Sequence, residues 1–256
     1  MIPPLQRGTL RLTRMLALMA SLAVSAVQAE TIQVVTEELP PYNMTVEGRL
    51  TGMGTEVVEA MLKQAGLSGS VQSMPWARAY DLALHSDNVL IYSLARIPQR
   101  EALFQWVGPI APTRWSMYAL ASKPIKLASL DEAKAYQNGV VKQDVGELYL
   151  LSHGFTTGVN LQSSNRRELN YEKLKSGHID LWIANELNAL WLARQAGDDP
   201  ARTLVRVLTL PDLGGEAGLF IAFSLKTPAA TVERAREALK RIHDDGTYAA
   251  IARKWM

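Results

Sequence analysis

The sequence contains no cysteine among its 256 residues. This absence excludes disulfide bonds, thiolate metal ligands, a cysteine nucleophile and a lipid attached to an N-terminal cysteine. Histidine is scarce as well, and its four copies are scattered without the spacing of a metal site. We therefore expect no metal and no other cofactor.

The sequence motifs of several large enzyme classes are also missing. The chain lacks the glycine-rich dinucleotide fingerprint, the P-loop, the H-E-x-x-H zinc motif and the G-x-S-x-G nucleophile elbow. These absences argue against the commonest dehydrogenases, nucleotide hydrolases, zinc proteases and serine hydrolases.

A hydrophobic run long enough to span a membrane is the third missing feature. The apolar stretch at residues 15–24 is about ten residues long, whereas a membrane-spanning helix needs about 20. Arg7, Arg11 and Arg14 precede this stretch, and V-Q-A, ending at Ala29, follows it. This layout predicts a cleavable signal peptide over residues 1–29 and a mature chain that begins at Glu30.

The predicted mature chain also lacks an excess of charge. Its 227 residues carry 24 basic and 25 acidic side chains, so no bulk charge favours nucleic acid or an anionic membrane. An exported chain without a lipid anchor is retained only by a second membrane, and we therefore expect it in a periplasm.

What is present is a regular alternation of strand and helix patterns. Apolar or β-branched runs such as "TIQVV" and "NVLIYSLA" alternate with helical spacing such as that in "TEVVEAMLKQA". The alternation is typical of α/β folds with parallel strands, and it occurs in two blocks. Two extended stretches, "IAPTRWSMYAL" and "LPDLGGEAGLFIAFS", are the predicted crossings between the blocks.

Four groups of residues carry a family resemblance. They are "PPYN" followed by "GRLTGMGTEVVEAML", "SLARIPQRE" followed by "FQWVGPI", then "LKSGHIDLWIAN", and then "DDGTYAAIARKW". In this order and spacing the chain resembles the extracytoplasmic solute-binding proteins of amino-acid type that serve ABC transporters, solute-binding protein family 3. The resemblance implies an α/β fold of two lobes, each a mainly parallel sheet flanked by helices, joined by two hinge crossings. Lobe 1 would span residues 30–113 and 218–256, and lobe 2 residues 114–217 with hinge segments at its ends.

The resemblance also implies a function without catalysis. We expect a periplasmic monomer that binds a small polar solute carrying a carboxylate, an amino acid or a related compound, and delivers it to the membrane permease of an ABC transporter. Nucleic acid is not an expected partner, and the protein is not expected to be an enzyme. The alternative is an enzyme on the same scaffold, similar to the periplasmic cyclohexadienyl dehydratases, with Glu186 as its candidate general acid.

Two arginines in "SLARIPQRE" are candidate ligand residues. Pro98 prevents Arg96 and Arg100 from being neighbours on one helix and places them in a turn at the carboxyl end of a strand, where open α/β sheets bind ligands. The resemblance implies that Arg100 clamps a carboxylate at the surface of the cleft and that Ser93 adds a polar contact. Arg96 is a support or a second contact, and the alternative is an ion pair with Glu101.

The chain departs from the family pattern on the second lobe. The family usually has an acidic residue for the ligand's ammonium group where this chain has Asn185. The helix start "KQDVGE" carries Asp144, which would cap the helix but repel a carboxylate. Glu38, Asp144 and Glu186 are the candidates to replace the missing acid.

Three further residues are candidates, and two of them have a second interpretation. Tyr42 is a candidate to stack against the ligand from the first loop. Trp76 either forms a wall of the pocket or belongs to the core, and Arg78 either contacts an anion or lies on a solvated helix face.

Overall fold

The computed structural model describes residues 31–213 and 218–255. The predicted signal peptide and the predicted first mature residue, Glu30, lie outside the described residues. The elements of the described part follow in chain order: β1 Ile32–Thr36, β2 Met44–Val46, β3 Arg49–Thr51, α1 Met53–Ala65, β4 Gly69–Ser73, α2 Trp76–His85, β5 Val89–Ala95, a 3-10 helix Pro98–Leu103, β6 Phe104–Ala111, β7 Trp115–Leu120, a 3-10 helix Asp131–Ala135, β8 Asn138–Val141, α3 Val145–Ser152, β9 Leu161–Ser164, α4 Arg167–Ser176, β10 Leu181–Asn185, α5 Glu186–Gln195, α6 Pro200–Thr203, β11 Leu204–Thr209, β12 Leu219–Ser224, α7 Ala229–Asp244 and α8 Thr247–Trp255.

The strands form two five-stranded sheets and one short hairpin. The first sheet has the order β4-β1-β5-β12-β6 and the second the order β11-β7-β10-β8-β9, while β2 pairs with β3. Two of the four pairings in each sheet are parallel and two are antiparallel. The two-lobed α/β fold with mainly parallel sheets is confirmed, because four of the five strands in each sheet run in the same direction. The exceptions are β12 in the first sheet and β7 in the second, which run against their neighbours.

The chain crosses between the two sheets twice. It leaves β6 of the first sheet and enters β7 of the second through residues 112–114. It returns between β11 and β12 through residues 210–218, of which 214–217 lie outside the described part. The two predicted crossings are therefore the segments that connect the sheets.

The centre of the first sheet is β5, and all seven of its residues are buried. Leu90 and Tyr92 pack on one face into the layer built from α1 and α7, while Val89 and Ile91 pack on the other face against α2. Covering both faces explains why the strand reads as a continuous apolar run rather than as an alternating one.

The second sheet is also covered on both faces. One face packs against α3 through residues such as Val140 and Ile183, and the other against α4 and α5 through Tyr118 and Trp182. Both sheets are therefore three-layer α/β/α units, and the ends of their strands are free to carry functional side chains.

Candidate functional site

The loops at the carboxyl ends of strands from both sheets meet at one place. From the first sheet come the residue after β1, the start of α2 and the 3-10 helix after β5; from the second come the β8–α3 turn and the start of α4. The side chains that meet there are those of Glu37, Trp76, Arg100, Asp144 and Arg167. This is the position at which open α/β sheets bind ligands.

Arg100 is a buried cation that contacts the second sheet. Its side chain is 1% exposed; Nη1 donates to the Ala95 carbonyl at 3.3 Å and Nη2 to the Gln143 carbonyl at 3.0 Å. Trp76 Nε1 donates to the same Gln143 carbonyl at 3.0 Å, and the guanidinium lies 5.4 Å from the Trp76 ring and 5.0 Å from the Tyr80 ring. The expectation that Arg100 lies at a cleft surface is therefore wrong, because the β8–α3 turn covers it.

Arg100 lacks a close negative partner. No carboxylate of residues 31–213 or 218–255 forms an ion pair with it, and its Nε is buried without a hydrogen-bond partner in the same residues. Burial lowers the pKa of Arg100, although Asp144 acts through space in the opposite direction. The guanidinium is therefore held by two backbone carbonyls and two aromatic rings.

Arg167 has the opposite surroundings, because two carboxylates hold it. Its Nε and Nη2 donate to the two carboxylate oxygens of Glu37 at 3.1 and 2.6 Å, and Nη2 also donates to Asp144 Oδ2 at 2.7 Å. The side chains of Arg167, Glu37 and Asp144 are 4%, 5% and 7% exposed. Glu37 follows the first sheet and the other two follow strands of the second, so the triad ties the sheets together.

The triad shifts the pKa values of its members. Burial raises the pKa of Glu37 to about 7, and the neighbouring Asp144 adds to the rise while Arg167 opposes it. Burial by itself would lower the pKa of Arg167, but Asp144 and Glu37 raise it well above its usual value. These directions are expected where two buried carboxylates share one cation.

The start of α3 is already occupied by the chain's own carboxylates. Asp144 caps the helix by accepting from the Val145 amide at 2.7 Å, as expected from the sequence. Glu147 accepts from the Gln143 amide at 2.6 Å and from the Ser163 hydroxyl. An anionic ligand would therefore meet negative charge rather than free amide donors at this helix end.

A cavity of about 240 Å³ is bordered by Glu37, Glu38, Trp76 and Arg167. The other residues that line it are Thr45, Ser73, Met74, Pro75, Asn165, Arg166 and Glu168.

Within residues 31–213 and 218–255, no group of three or more acidic or histidine side chains could hold a metal ion. No helix in this part of the chain has the length and apolarity needed to cross a bilayer.

The comparisons with known proteins agree with this architecture. The family model of the bacterial extracellular solute-binding proteins, family 3, matches residues 32–256. The chain belongs to this family.

Similar proteins include binding proteins for several amino acids. This solute-binding protein is 24% identical over 228 residues to the L-cystine-binding protein TcyJ of Escherichia coli K12, covering 84% of this chain and 78% of the relative. It superposes with a TM-score of 0.76 and 22% identity on an ancestral arginine-binding protein bound to arginine, over 88% of this chain and 98% of that one. The arginine-, lysine- and histidine-binding protein ArtJ of Geobacillus stearothermophilus gives a TM-score of 0.76 at 18% identity, over 89% and 95% of the two chains. These structures share the periplasmic-binding-protein fold.

The structure commits Asn185 of this solute-binding protein to other partners. Its Oδ1 accepts from the Tyr42 hydroxyl at 3.2 Å and from the Leu187 amide at 3.1 Å, and its Nδ2 donates to the Thr113 hydroxyl. The Tyr42 hydroxyl also donates to the Pro112 carbonyl at 3.1 Å. Asn185 and Tyr42 therefore form a buried link beside the first crossing, and neither side chain is free for a ligand in this arrangement.

Other predicted residues lie at the edge of the cavity or away from it. Ser93 is buried in the first sheet, where its hydroxyl donates to Asn43 Oδ1. Glu38 lines the cavity and accepts from the Thr45 amide and hydroxyl, both at 2.8 Å. Arg78 is exposed on α2, the solvated position that the sequence left open.

Arg96 and Glu186 take part in surface ion pairs. Arg96 pairs with Glu101 at 2.5 Å, the alternative that its spacing suggested, and its guanidinium lies 5.2 Å from the Trp106 ring. Glu186 pairs with Arg114 at 2.9 Å and with Arg206 at 3.2 Å. Neither residue reaches the place where Arg100 and Arg167 meet the opposite sheet.

Sequence reasoning missed Glu37, Gln143 and Arg167. Arg167 left one usable signal, because a basic residue in the first turn of a helix opposes the helix dipole. Gln143 adopts a left-handed backbone conformation with φ of 61°, which its residue type does not announce.

Proposed function

We propose that this solute-binding protein binds a small solute through the solute's carboxylate, with Arg100 as the anion clamp. The observation that carries the proposal is a fully buried guanidinium without a carboxylate partner in the described part of the chain. A buried charge is costly unless it is paired, so a ligand carboxylate would find a strong complement there. The planar fork of arginine matches the two oxygens of a carboxylate, whereas lysine offers only a point charge.

Binding at Arg100 requires the two sheets to separate first. In the present arrangement the Gln143 carbonyl accepts a hydrogen bond from Arg100 Nη2 at 3.0 Å and another from Trp76 Nε1. A ligand carboxylate would replace this carbonyl as acceptor once the lobes open. We propose that lobe 1, residues 30–113 and 218–256, and lobe 2, residues 114–217, move about the two crossings and close over the solute.

The relatives support an amino acid or a related compound as the solute. The ligands in their names are L-cystine, arginine, lysine and histidine, all of which carry a carboxylate. We propose further that the protein is exported with cleavage after Ala29, acts as a monomer in the periplasm, and delivers its ligand to the permease of an ABC transporter.

The test is a ligand screen followed by titration of matched arginine variants. Amino acids, polyamines and organic acids are screened by thermal shift, and the best binder is titrated by calorimetry. Arg100→Ala should lose at least about 2 kcal/mol of binding free energy, about 30-fold in affinity. Arg96→Ala removes a half-buried arginine that pairs with Glu101 in the same turn, and this variant should bind like the parent protein. Equal affinity of Arg100→Ala and the parent would contradict the proposal.

The dehydratase alternative depends on an acid that the structure places elsewhere. Glu186, its candidate general acid, is held by Arg114 and Arg206. Loss of prephenate on incubation with the purified protein would nevertheless favour the enzyme over the binding protein.

A further inference from the structure

The Glu37–Arg167–Asp144 triad has the form of a cation-binding subsite. Glu37 presents both carboxylate oxygens to one guanidinium from the side of the first sheet, and Asp144 presents one oxygen from the side of the second. All three side chains are more than nine-tenths buried, and two of them line the cavity of about 240 Å³. A guanidinium held by paired oxygens is the strongest arrangement of this kind.

The bound cation is part of the chain itself. Arg167 is the first residue of α4, where the helix dipole disfavours a positive charge, so the two carboxylates rather than the helix hold it there. Its guanidinium also lies 5.8 Å from the ring of Trp115, the first residue of β7 beyond the crossing. Without Arg167, two buried carboxylates would face each other across the sheets with no cation between them.

We infer that Arg167 acts as a tethered ligand that fills the cation subsite between Glu37 and Asp144 and keeps cationic groups of solutes out of it. Arg167 is in this view a specificity-determining residue: solutes whose second charge is a guanidinium or an amine cannot enter the buried subsite. The inference rests on the proposed function insofar as the cleft is where solute binds, but the subsite is separate from the anion clamp at Arg100.

The same contact couples selectivity to closure. Arg167 and Asp144 both follow strands of the second sheet and stay together when the sheets separate, whereas Glu37 belongs to the first sheet. Opening therefore breaks the pair between Arg167 and Glu37 and leaves the pair between Arg167 and Asp144 intact. In the absence of solute, the pair between Arg167 and Glu37 therefore holds the cleft closed.

The test supplies the missing cation from solution. The full-length protein and its Arg167→Ala variant are titrated with millimolar methylguanidinium chloride, and melting temperature and binding heat are recorded at matched ionic strength. Arg167→Ala should bind methylguanidinium at least tenfold more tightly than the parent. The melting temperature of the variant should also rise when methylguanidinium is added. L-arginine should show the same preference for the variant.

The matched control is Arg166→Ala. Arg166 is an exposed arginine that lines the same cavity and forms no ion pair in the described part of the chain. It should respond to methylguanidinium like the parent. Equal responses of Arg167→Ala, Arg166→Ala and the parent would overturn the inference.

A second variant keeps the test decisive if Arg167→Ala does not fold. Arg167→Ala combined with Glu37→Gln removes the cation together with one of its two acidic partners, so Asp144 is the one acidic side chain left in the triad. Methylguanidinium should stabilise this double variant through Asp144, and no stabilisation would overturn the inference. Methylguanidinium has no carboxylate, so its rescue should persist in an Arg100→Met background even if the anion clamp is wrong.

Discussion

Replacing each of the two buried arginines by methionine should have unequal consequences for the stability of the ligand-free protein. Methionine keeps an unbranched apolar stem and removes the charge, so the comparison isolates what each guanidinium does. Arg100 is 1% exposed and Arg167 has a side chain that is 4% exposed, and both follow strands at the same cleft. They differ in their partners.

Arg167→Met removes the only cation that pairs with two buried carboxylates in the described part of the chain. Glu37 and Asp144 would then face each other uncompensated. Breaking a buried pair by removing one partner costs about 3–5 kcal/mol. We expect a loss of this size in the free energy of unfolding.

Arg100→Met removes a cation that is bonded to two carbonyls. The Gln143 carbonyl keeps its bond from Trp76 Nε1, so the Ala95 carbonyl is the group that loses a donor. The lost hydrogen bonds and the contacts with two aromatic rings are each worth about 1–3 kcal/mol. The desolvation cost of a buried charge, several kcal/mol, disappears at the same time. We expect a net change within about 1 kcal/mol of the parent.

Urea denaturation of the two variants and the parent, without ligand, measures the difference directly. Calorimetry with the ligand from the screen should show that Arg100→Met binds at least about 30-fold more weakly despite its stability. If both variants lose the same free energy of unfolding, Arg100 is a structural residue like Arg167, and the anion clamp is refuted. If Arg100→Met binds like the parent, the site is elsewhere.

Three other predictions concern the cleft and its surroundings, and a fourth concerns the signal peptide. Because the pKa of Glu37 is raised from 4.5 to about 7, the folded state retains a proton that the unfolded chain releases. The free energy of unfolding should therefore fall as pH rises from about 4.5 to 7, by up to about 3 kcal/mol relative to Glu37→Gln in urea titrations at each pH; equal pH profiles would contradict this. Asn185→Asp should lower the melting temperature and should not improve amino-acid affinity by calorimetry, because the side chain bonds to Tyr42 and Thr113; a tenfold gain would restore it as the ammonium site. In small-angle scattering, ligand-free Glu37→Gln should have a larger radius of gyration than the parent, and ligand should reduce it; identical values would argue against a closing role for the triad. Intact mass of a periplasmic extract should give a chain that starts at Glu30, whereas a mass that retains residues 1–29 in a membrane fraction would exclude cleavage.

Elements whose patterns are local were predictable from the sequence. The apolar run of β5 and the helical spacing of α1 reflect which faces of these elements are buried, and each pattern lies within one short segment of the sequence. α1 begins two residues earlier than its apolar spacing indicated and ends before Gly66, whose left-handed conformation accounts for the stop.

The one reversed strand in each sheet was not predictable in the same way. β12 is inserted between β5 and β6 and runs antiparallel to both, although β6 follows β5 after a short 3-10 helix. A hydrophobic pattern reports which faces of a strand are buried, not which way its neighbour runs. The crossings decide direction here, because β12 enters the first sheet from the second.

The missing acid at Asn185 and the unexpected cation at Arg167 belong to one rearrangement of the cleft. The family pattern predicts a carboxylate at position 185, but the structure has an amide there that links Tyr42 and Thr113 beside the first crossing. Negative charge is instead placed at Glu37 and Asp144, and both carboxylates are already paired with Arg167.

A solute with an ammonium group would therefore need another acidic partner in the proposed site. Glu38 and Glu168 line the cavity and form no ion pair within the described residues, whereas Glu186 is held by two arginines. The carboxylate of Glu38 is fixed by two hydrogen bonds from Thr45, so it is the better oriented of the two. The sequence could not show which of these carboxylates are already paired. Glu37 and Asp144 are brought to Arg167 only by the fold, because the three residues lie in separate segments of the chain.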